Sequence, residues 1–206
     1  MTRSDQRIQQ TGQSGSELSF PQTGQVEGEI RVRPARADDH PQIAELTLAA
    51  YRHSQQVWPG HPYEAALVDV AGRASAGELL VAEVVGSGQL VGSVLLVRAG
   101  SPYAELCGPT EAEFRMLAVD PAAQGRGVGR LLVQACLDRA TALGCDAMVI
   151  CTRDFTLNAH RLYERFGFAR TPERDWSPAP GINLLAMRRP LPAAGTPADN
   201  EGTTQP

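Results

Sequence analysis

Residues 111–143 hold a strand, a glycine-rich turn and a helix in immediate succession, and few folds accommodate that order. Glu111 to Val119 reads as a buried strand, stopped by Asp120-Pro121. From about Gly127 to Leu143, Val128, Leu131, Leu132, Ala135, Cys136, Ala140 and Leu143 recur with the 3.6-residue period. Arg130, Gln134, Asp138 and Thr141 line the opposite face, and Gly144 supplies the stop. The joint between the two is Gln124-Gly125-Arg126-Gly127-Val128-Gly129-Arg130. Glycines at the mouth of a helix let backbone N–H groups close on an anion, and the helix dipole favours negative charge there. A phosphate or pyrophosphate is the expected ligand, with Arg126 and Arg130 placed to add charge-assisted bonds.

Composition separates the loops that could do this. The chain has 206 residues and 19 cationic side chains, every one an arginine. A Walker A loop needs a lysine and is excluded. A dinucleotide fingerprint needs G-x-G-x-x-G after the first strand, whereas these glycines follow G-x-G-x-G after the fourth. The spacing Q/R-x-x-G-x-G/A, met by Gln124, Gly127 and Gly129, is that of acyl-CoA-binding loops; a glycine-rich turn without a ligand is the other reading left open. The all-arginine usage fits a GC-rich bacterial genome. A net charge of −4 gives no basic footprint for nucleic acid.

The chain divides into three parts. Residues 1–27, rich in Gln, Ser, Gly and Thr, are expected to form a disordered arm that is not a secretory signal. Residues 28–190 form the folded domain, and residues 191–206 a second disordered tail. No apolar run reaches eighteen residues, so no membrane span is expected and a cytoplasmic location is read. Within the domain, Ile30 to Val32 begins a strand ended by Pro34. Asp38 and Asp39 cap a helix facing inward with Ile43, Leu46, Thr47 and Ala50. One further helix is read over Tyr63 to Ala74. Leu79–Val85 and Gln89–Val97 form a hairpin across Gly86-Ser87-Gly88. Ala147–Cys151 is a short buried strand, Thr156–Arg165 a helix, and Phe168–Arg170 and Ile182–Met187 the last strands. The four cysteines lack a C-x-x-C pair and read as reduced thiols; the four histidines lack ligand spacing, so no metal is proposed.

Three stretches in order carry a family resemblance: Ile30-Arg-Val-Arg-Pro-Ala-Arg-Ala-Asp38-Asp39, Glu113 through Leu132, and Asn158-Ala-His-Arg-Leu-Tyr163-Glu-Arg-Phe-Gly-Phe168. Over about Ile30 to Met187 the chain resembles the GNAT N-acetyltransferase superfamily. The resemblance implies an α/β (α+β) acyl-CoA N-acyltransferase fold, with a mixed central sheet of about seven strands flanked by about four helices. It implies a sheet splayed between the fourth and fifth strands, often by a bulge in the fourth, with the pantetheine arm of acetyl-CoA lying in the gap. Backbone of Leu117, Ala118 and Val119 would then contact that arm. The loop Gln124, Gly125, Arg126, Gly127, Val128, Gly129 and Arg130 would cradle the pyrophosphate, and Asn158 would touch the pantetheine or simply cap its helix.

The implied reaction is attack of a neutral amine on the thioester of acetyl-CoA, which serves as co-substrate. That needs a base for the ammonium, a donor for the developing oxyanion and an acid for the departing thiolate. Tyr163 is the candidate acid, packing beside Phe166 and Phe168 being its alternative role. Glu113 is the candidate base, with an ion pair to Arg115 as the alternative, and the Val119 amide is the oxyanion donor. Tyr51, Trp58 and Trp176 are the candidate walls of the acceptor pocket. The acceptor is read as a small-molecule amine, and a homodimer is left open. The rival functions are a non-enzymatic acyl-CoA-binding or regulatory module and a protein N-terminal acetyltransferase.

Overall fold

A computed structural model describes residues 28–192; the proposed arm over 1–27 and the tail beyond residue 192 lie outside the described residues. Eight strands and five helices follow one another as β1 (Ile30–Pro34), α1 (His40–His53), α2 (Glu64–Val68), α3 (Val70–Ala76), β2 (Glu78–Val84), β3 (Leu90–Arg98), β4 (Glu111–Val119), α4 (Val128–Ala142), β5 (Ala147–Arg153), α5 (Leu157–Arg165), β6 (Ala169–Arg170), β7 (Trp176–Ala179) and β8 (Ile182–Pro190). The strands lie in the order β1-β2-β3-β4-β5-β8-β6, and β7 pairs with β8. Only β4 and β5 run parallel. This is the open mixed sheet of the expected fold.

Helices cover both faces. On one, Val128, Leu132, Val133, Cys136, Leu137 and Ala140 of α4 pack with Phe114, Met148, Ile150 and Tyr163. On the other, Ile43 and Leu46 of α1 and Val70 of α3 pack with Val81, Leu95 and Val97. Covering both faces explains why β2 and β3 are nearly continuous apolar runs rather than alternating ones. Gly92 permits the close approach of α4 to β3: an added Cβ would lie 2.8 Å from Val128 Cγ1 and 3.1 Å from Ala118 O.

Three local expectations change. The helix expected over Tyr63–Ala74 is two, because Asp69 adopts φ −74°, ψ 70° and its Oδ1 accepts the Gly72 N–H at 2.9 Å. A short polar side chain that bonds nearby backbone competes with the helical ladder at that point. Asp39 stands at the N-cap position of α1, but its side chain makes no capping bond there; it pairs with Arg33 at 2.7 and 3.0 Å and accepts the Arg36 N–H at 2.7 Å. The last strand, expected over Ile182–Met187, runs on to Pro190, and the Leu191 N–H donates to Asp146 O at 2.8 Å. No helix among the described residues is long and apolar enough to cross a membrane.

Candidate active site

The site begins as a defect in the sheet. β4 and β5 pair only at Glu111↔Ala147, Ala112↔Met148 and Glu113↔Val149, although both strands run further. On its other edge β4 matches Ser93↔Ala118 and then Leu95↔Arg115, so β4 carries one residue more than β3 across that step. Met116, inside the extra segment, has φ +51°. A β-bulge bends its strand and raises local twist, which turns the end of β4 away from β5. A non-glycine residue held at positive φ costs about 1–2 kcal/mol, repaid here by burying the Met116 side chain with Val57 and Leu67.

The opened edge has donors. Asp120 N–H donates to Val91 O at 3.0 Å, toward β3. Amides alternate sides along a strand, so the N–H groups of Val119 and Leu117 face the opposite edge, the one bordering the gap, with that of Ala118 turned to β3. At the end of β4, Asp120 accepts the Ala122 N–H at 2.9 Å and a short turn leads to Gln124. Gly125 and Gly127 have φ +78° and +80°, a conformation that side chains resist, and a Cβ at either would meet nothing within 4 Å. No chain acceptor among the described residues takes the backbone N–H groups of residues 125–130, until Leu131 bonds Gly127 O at 3.0 Å. Gly129 has a different reason: its Cβ would sit 3.3 Å from Leu162 Cδ2 of α5 and 3.7 Å from Val119 Cγ2. Gln124 and Arg130 are exposed, and Val128 is buried in the core. Arg126 turns back to donate to Gly28 O at 3.0 Å.

Beside the gap lies a cleft of about 260 Å³ walled by the segment after α1, by α5 and by the β7–β8 hairpin. Tyr163 lines it, buried, with edge-on contacts to Phe114 and Phe168 at centroid distances of 5.6 and 5.9 Å. Burial, with the Cys151 and Cys136 thiols nearby, pushes its phenol well above the usual tyrosine range, so it holds its proton at neutral pH. Tyr51 and Tyr63 line the same cleft, 6.3 Å apart, and burial raises both of their phenols too.

Glu113 is placed differently from expectation. It is fully buried and absent from the cleft lining. Its Oε2 accepts the backbone N–H groups of Glu105, Leu106 and Cys107 at 2.9, 2.8 and 3.2 Å, while Oε1 lies 3.7 Å from Arg115 Nε. The carboxylate is spent on holding the loop before β4. That loop delivers Glu105 to the cleft, a residue the sequence reading passed over. Glu105 Oε1 pairs with Arg115 Nη2 at 2.5 Å, and Oε2 accepts from Cys151 Sγ at 3.6 Å. Burial raises the Glu105 carboxyl above its ordinary value; Arg115 opposes this and the charge of Glu113 reinforces it. The thiol of Cys151 is itself pushed up to about 12, first by burial and then by Glu105. The oxygen and sulfur atoms of Glu105, Glu113 and Cys151 come within 4.8 Å of one another, and the Arg115 guanidinium lies against both carboxylates.

Other expected residues fall outside. Trp58 is 63% exposed, edge-on to His61 at 4.3 Å. Trp176 does not line the cleft; Pro178, Ile182 and Leu184 from its hairpin do. Asn158 is exposed and is the second residue of α5, whose cap position belongs to Thr156, so it does not cap the helix. Cleft residues without a sequence signal are Glu105, Arg115, Cys151 and Arg153, which come together only when the loop before β4 folds over the strand ends.

Known proteins share this architecture. The ribosomal-protein-S18-alanine N-acetyltransferase of Escherichia coli aligns over 81% of this chain and 97% of its own, with a TM-score of 0.60 and 17% identity. The yncA protein of Salmonella typhimurium, solved with its cofactor acetyl-CoA, aligns over 82% and 98%, with a TM-score of 0.59 and 23% identity. Among curated proteins, an N-acetyltransferase of Schizosaccharomyces pombe is 38% identical over 81 residues, which are 39% of this chain and 48% of that protein. A mycothiol acetyltransferase of Mycobacteroides abscessus is 41% identical over 61 residues, 30% of this chain and 21% of that protein. The chain thus matches about half or less of the length of these curated relatives. The acetyltransferase (GNAT) family model matches residues 40–168, more than half of the chain. With the splayed sheet and the glycine mouth of α4 in place, this chain belongs to the GNAT acetyltransferase family.

Proposed function

We propose that the protein transfers an acetyl group from acetyl-CoA to a small primary amine by direct attack within a ternary complex. The observation that carries this reading is the row of backbone N–H groups over residues 125–130 that lack a chain acceptor, beside the unpaired edge of β4. Such a row at the mouth of a fifteen-residue helix suits an anion such as a pyrophosphate, because the unpaired N–H groups and the helix dipole both favour negative charge there. Leu117 and Val119 supply the backbone contacts for the pantetheine arm. Acetyl-CoA supplies an activated acetyl thioester; the chemistry around it falls to the chain's own residues.

Glu105, not Glu113, takes the proton from the ammonium. It alone of the two lines the cleft, and a carboxyl raised above its ordinary value is the better proton acceptor. Glu113 is a positioning residue that sets the loop. The Val119 amide stabilises negative charge on the acyl oxygen. Tyr163, protonated at neutral pH, hands its proton to the leaving sulfur. The cleft's modest volume and its aromatic walls favour a small acceptor.

Purified protein incubated with acetyl-CoA and a panel of amines, with thiol detection, tests the reading. Amine-dependent release of CoA thiol is expected. Tight CoA binding with no thiol release at any pH would replace it with a non-enzymatic acyl-CoA-binding module.

A further inference from the structure

We infer that Arg153 recognises a carboxylate on the acceptor, so that the cleft takes a primary amine carrying its acid group across an apolar body. The inference rests on the acetyl-transfer reading for the chemistry, though not for the binding.

Two arginines line the cleft. Arg115 has nothing left to offer: Nη1 donates to Tyr103 O at 2.6 Å, Nη2 pairs with Glu105, and Nε faces Glu113. Arg153 is the opposite case. No carboxylate among the described residues lies within ion-pair distance of it, whereas Arg115, the other arginine of the cleft, has two. Its Nε is buried without a hydrogen-bond partner, and the one hydrogen bond of its side chain among the described residues is a long 3.5 Å approach of Nη2 to Gly181 O. The adjacent Asp154 is engaged elsewhere, accepting from Asn183 Nδ2 at 3.0 Å. The Phe155 ring lies 4.9 Å from the guanidinium carbon, a cation–π contact that helps hold the group in place without satisfying any of its N–H donors.

A buried donor left unpaired is costly, and a carboxylate meeting the guanidinium edge-on satisfies two donors at once. The position sets the ligand's length. Arg153 is two residues beyond Cys151 on β5, hence on the same face and roughly 7 Å farther along the strand. Cys151 marks the end of the cleft where Glu105 sits. An amine held at Glu105 therefore needs its acid group several bonds away, which a carboxylate on the adjoining carbon does not reach. Tyr51, Tyr63 and Leu184 line the same cleft, and such walls suit a flat apolar spacer.

The probes are 4-(aminomethyl)benzoate and its methyl ester, equal in shape and different in charge. Wild-type protein should favour the carboxylate at least tenfold in kcat/KM, with KM carrying the difference. Arg153→Gln should bring the ratio of the two close to one, Arg153→Lys should keep part of the preference, and Arg153→Glu should turn it toward the ester. Equal rates for the two probes with wild type, or an unchanged ratio in Arg153→Gln, would overturn the inference. Calorimetric titration of the same probes into CoA-loaded protein separates it from the reading it rests on. Arg153-dependent binding of the carboxylate without thiol release would leave the recognition standing and remove acetyl transfer. No binding of the carboxylate in that titration, with no turnover, would overturn the recognition itself.

Discussion

A carboxylate whose oxygen already accepts three backbone amides is a poor place to deliver a substrate proton, and that separates Glu113 from Glu105. Glu105→Gln should lower kcat/KM by roughly 10²–10⁴-fold and remove the acid limb of its pH profile. The sign follows from the charge. The raised carboxyl is inactive while protonated, so activity climbs as pH rises through its titration, above the ordinary glutamate value of about 4.3. An acid limb retained in Glu105→Gln would return the role to another group. Glu113→Gln should act differently, loosening the loop and raising KM, with the limb kept. Tyr163→Phe should reduce kcat while acetyl-CoA affinity measured by calorimetry stays within twofold; unchanged kinetics would remove Tyr163 as the acid.

At the scale of elements, the turn into α4 was the most legible part of the chain. Gly125 and Gly127 are needed for a left-handed backbone and Gly129 for the crossing of α5 over α4, and the spacing rule captures Gly127 and Gly129. Gly127→Glu should weaken acetyl-CoA binding by more than tenfold in a direct titration, since it sets negative charge where phosphate belongs. Gly127→Asn, a residue that tolerates positive φ, should lose far less. The helices over residues 128–142 and 157–165 were equally readable, because their apolar spacing is local. The acceptor side was not. Tyr51 was found because aromatic residues stand out, and Trp58 and Trp176 were chosen for the same reason, although side-chain size says nothing about which way a loop turns. Glu105 and Arg153 gave no signal because their importance lies in what faces them. For Glu105 that is Arg115 and Cys151, ten and more residues away along the chain.

For the molecule as a whole, Glu111 ties three distant parts together. It accepts from Arg174 Nη2 at 2.8 Å, from Arg188 Nε at 2.7 Å and from the Gly108 N–H at 2.9 Å, joining the loop before β4 to β8 and to the turn after β6. Partial burial works against the charged form, but these bonds prevail and draw the carboxyl from 4.5 down to about 2. A carboxyl depressed in the folded state stabilises the fold above its unfolded value, and that contribution disappears as pH falls through the folded one. Thermal unfolding temperatures should therefore drop progressively between pH 4.5 and 2, on top of the general acid sensitivity. Glu111→Gln should be less stable at neutral pH and flatter across that interval. Equal slopes in the two proteins would remove Glu111 from the account.

The parting of β4 from β5 after Glu113 and Val149 leaves the middle of the sheet with a rung-less stretch that neither strand can complete. A carrier bound along Leu117 and Val119 would become, in effect, a ninth strand, adding to the three paired rungs that already join the two halves of the sheet. Loading should thus protect those two amides from hydrogen exchange. It should also raise global stability by about 2.7 kcal/mol at a hundredfold excess over Kd, making the carrier a folding partner as much as a reagent.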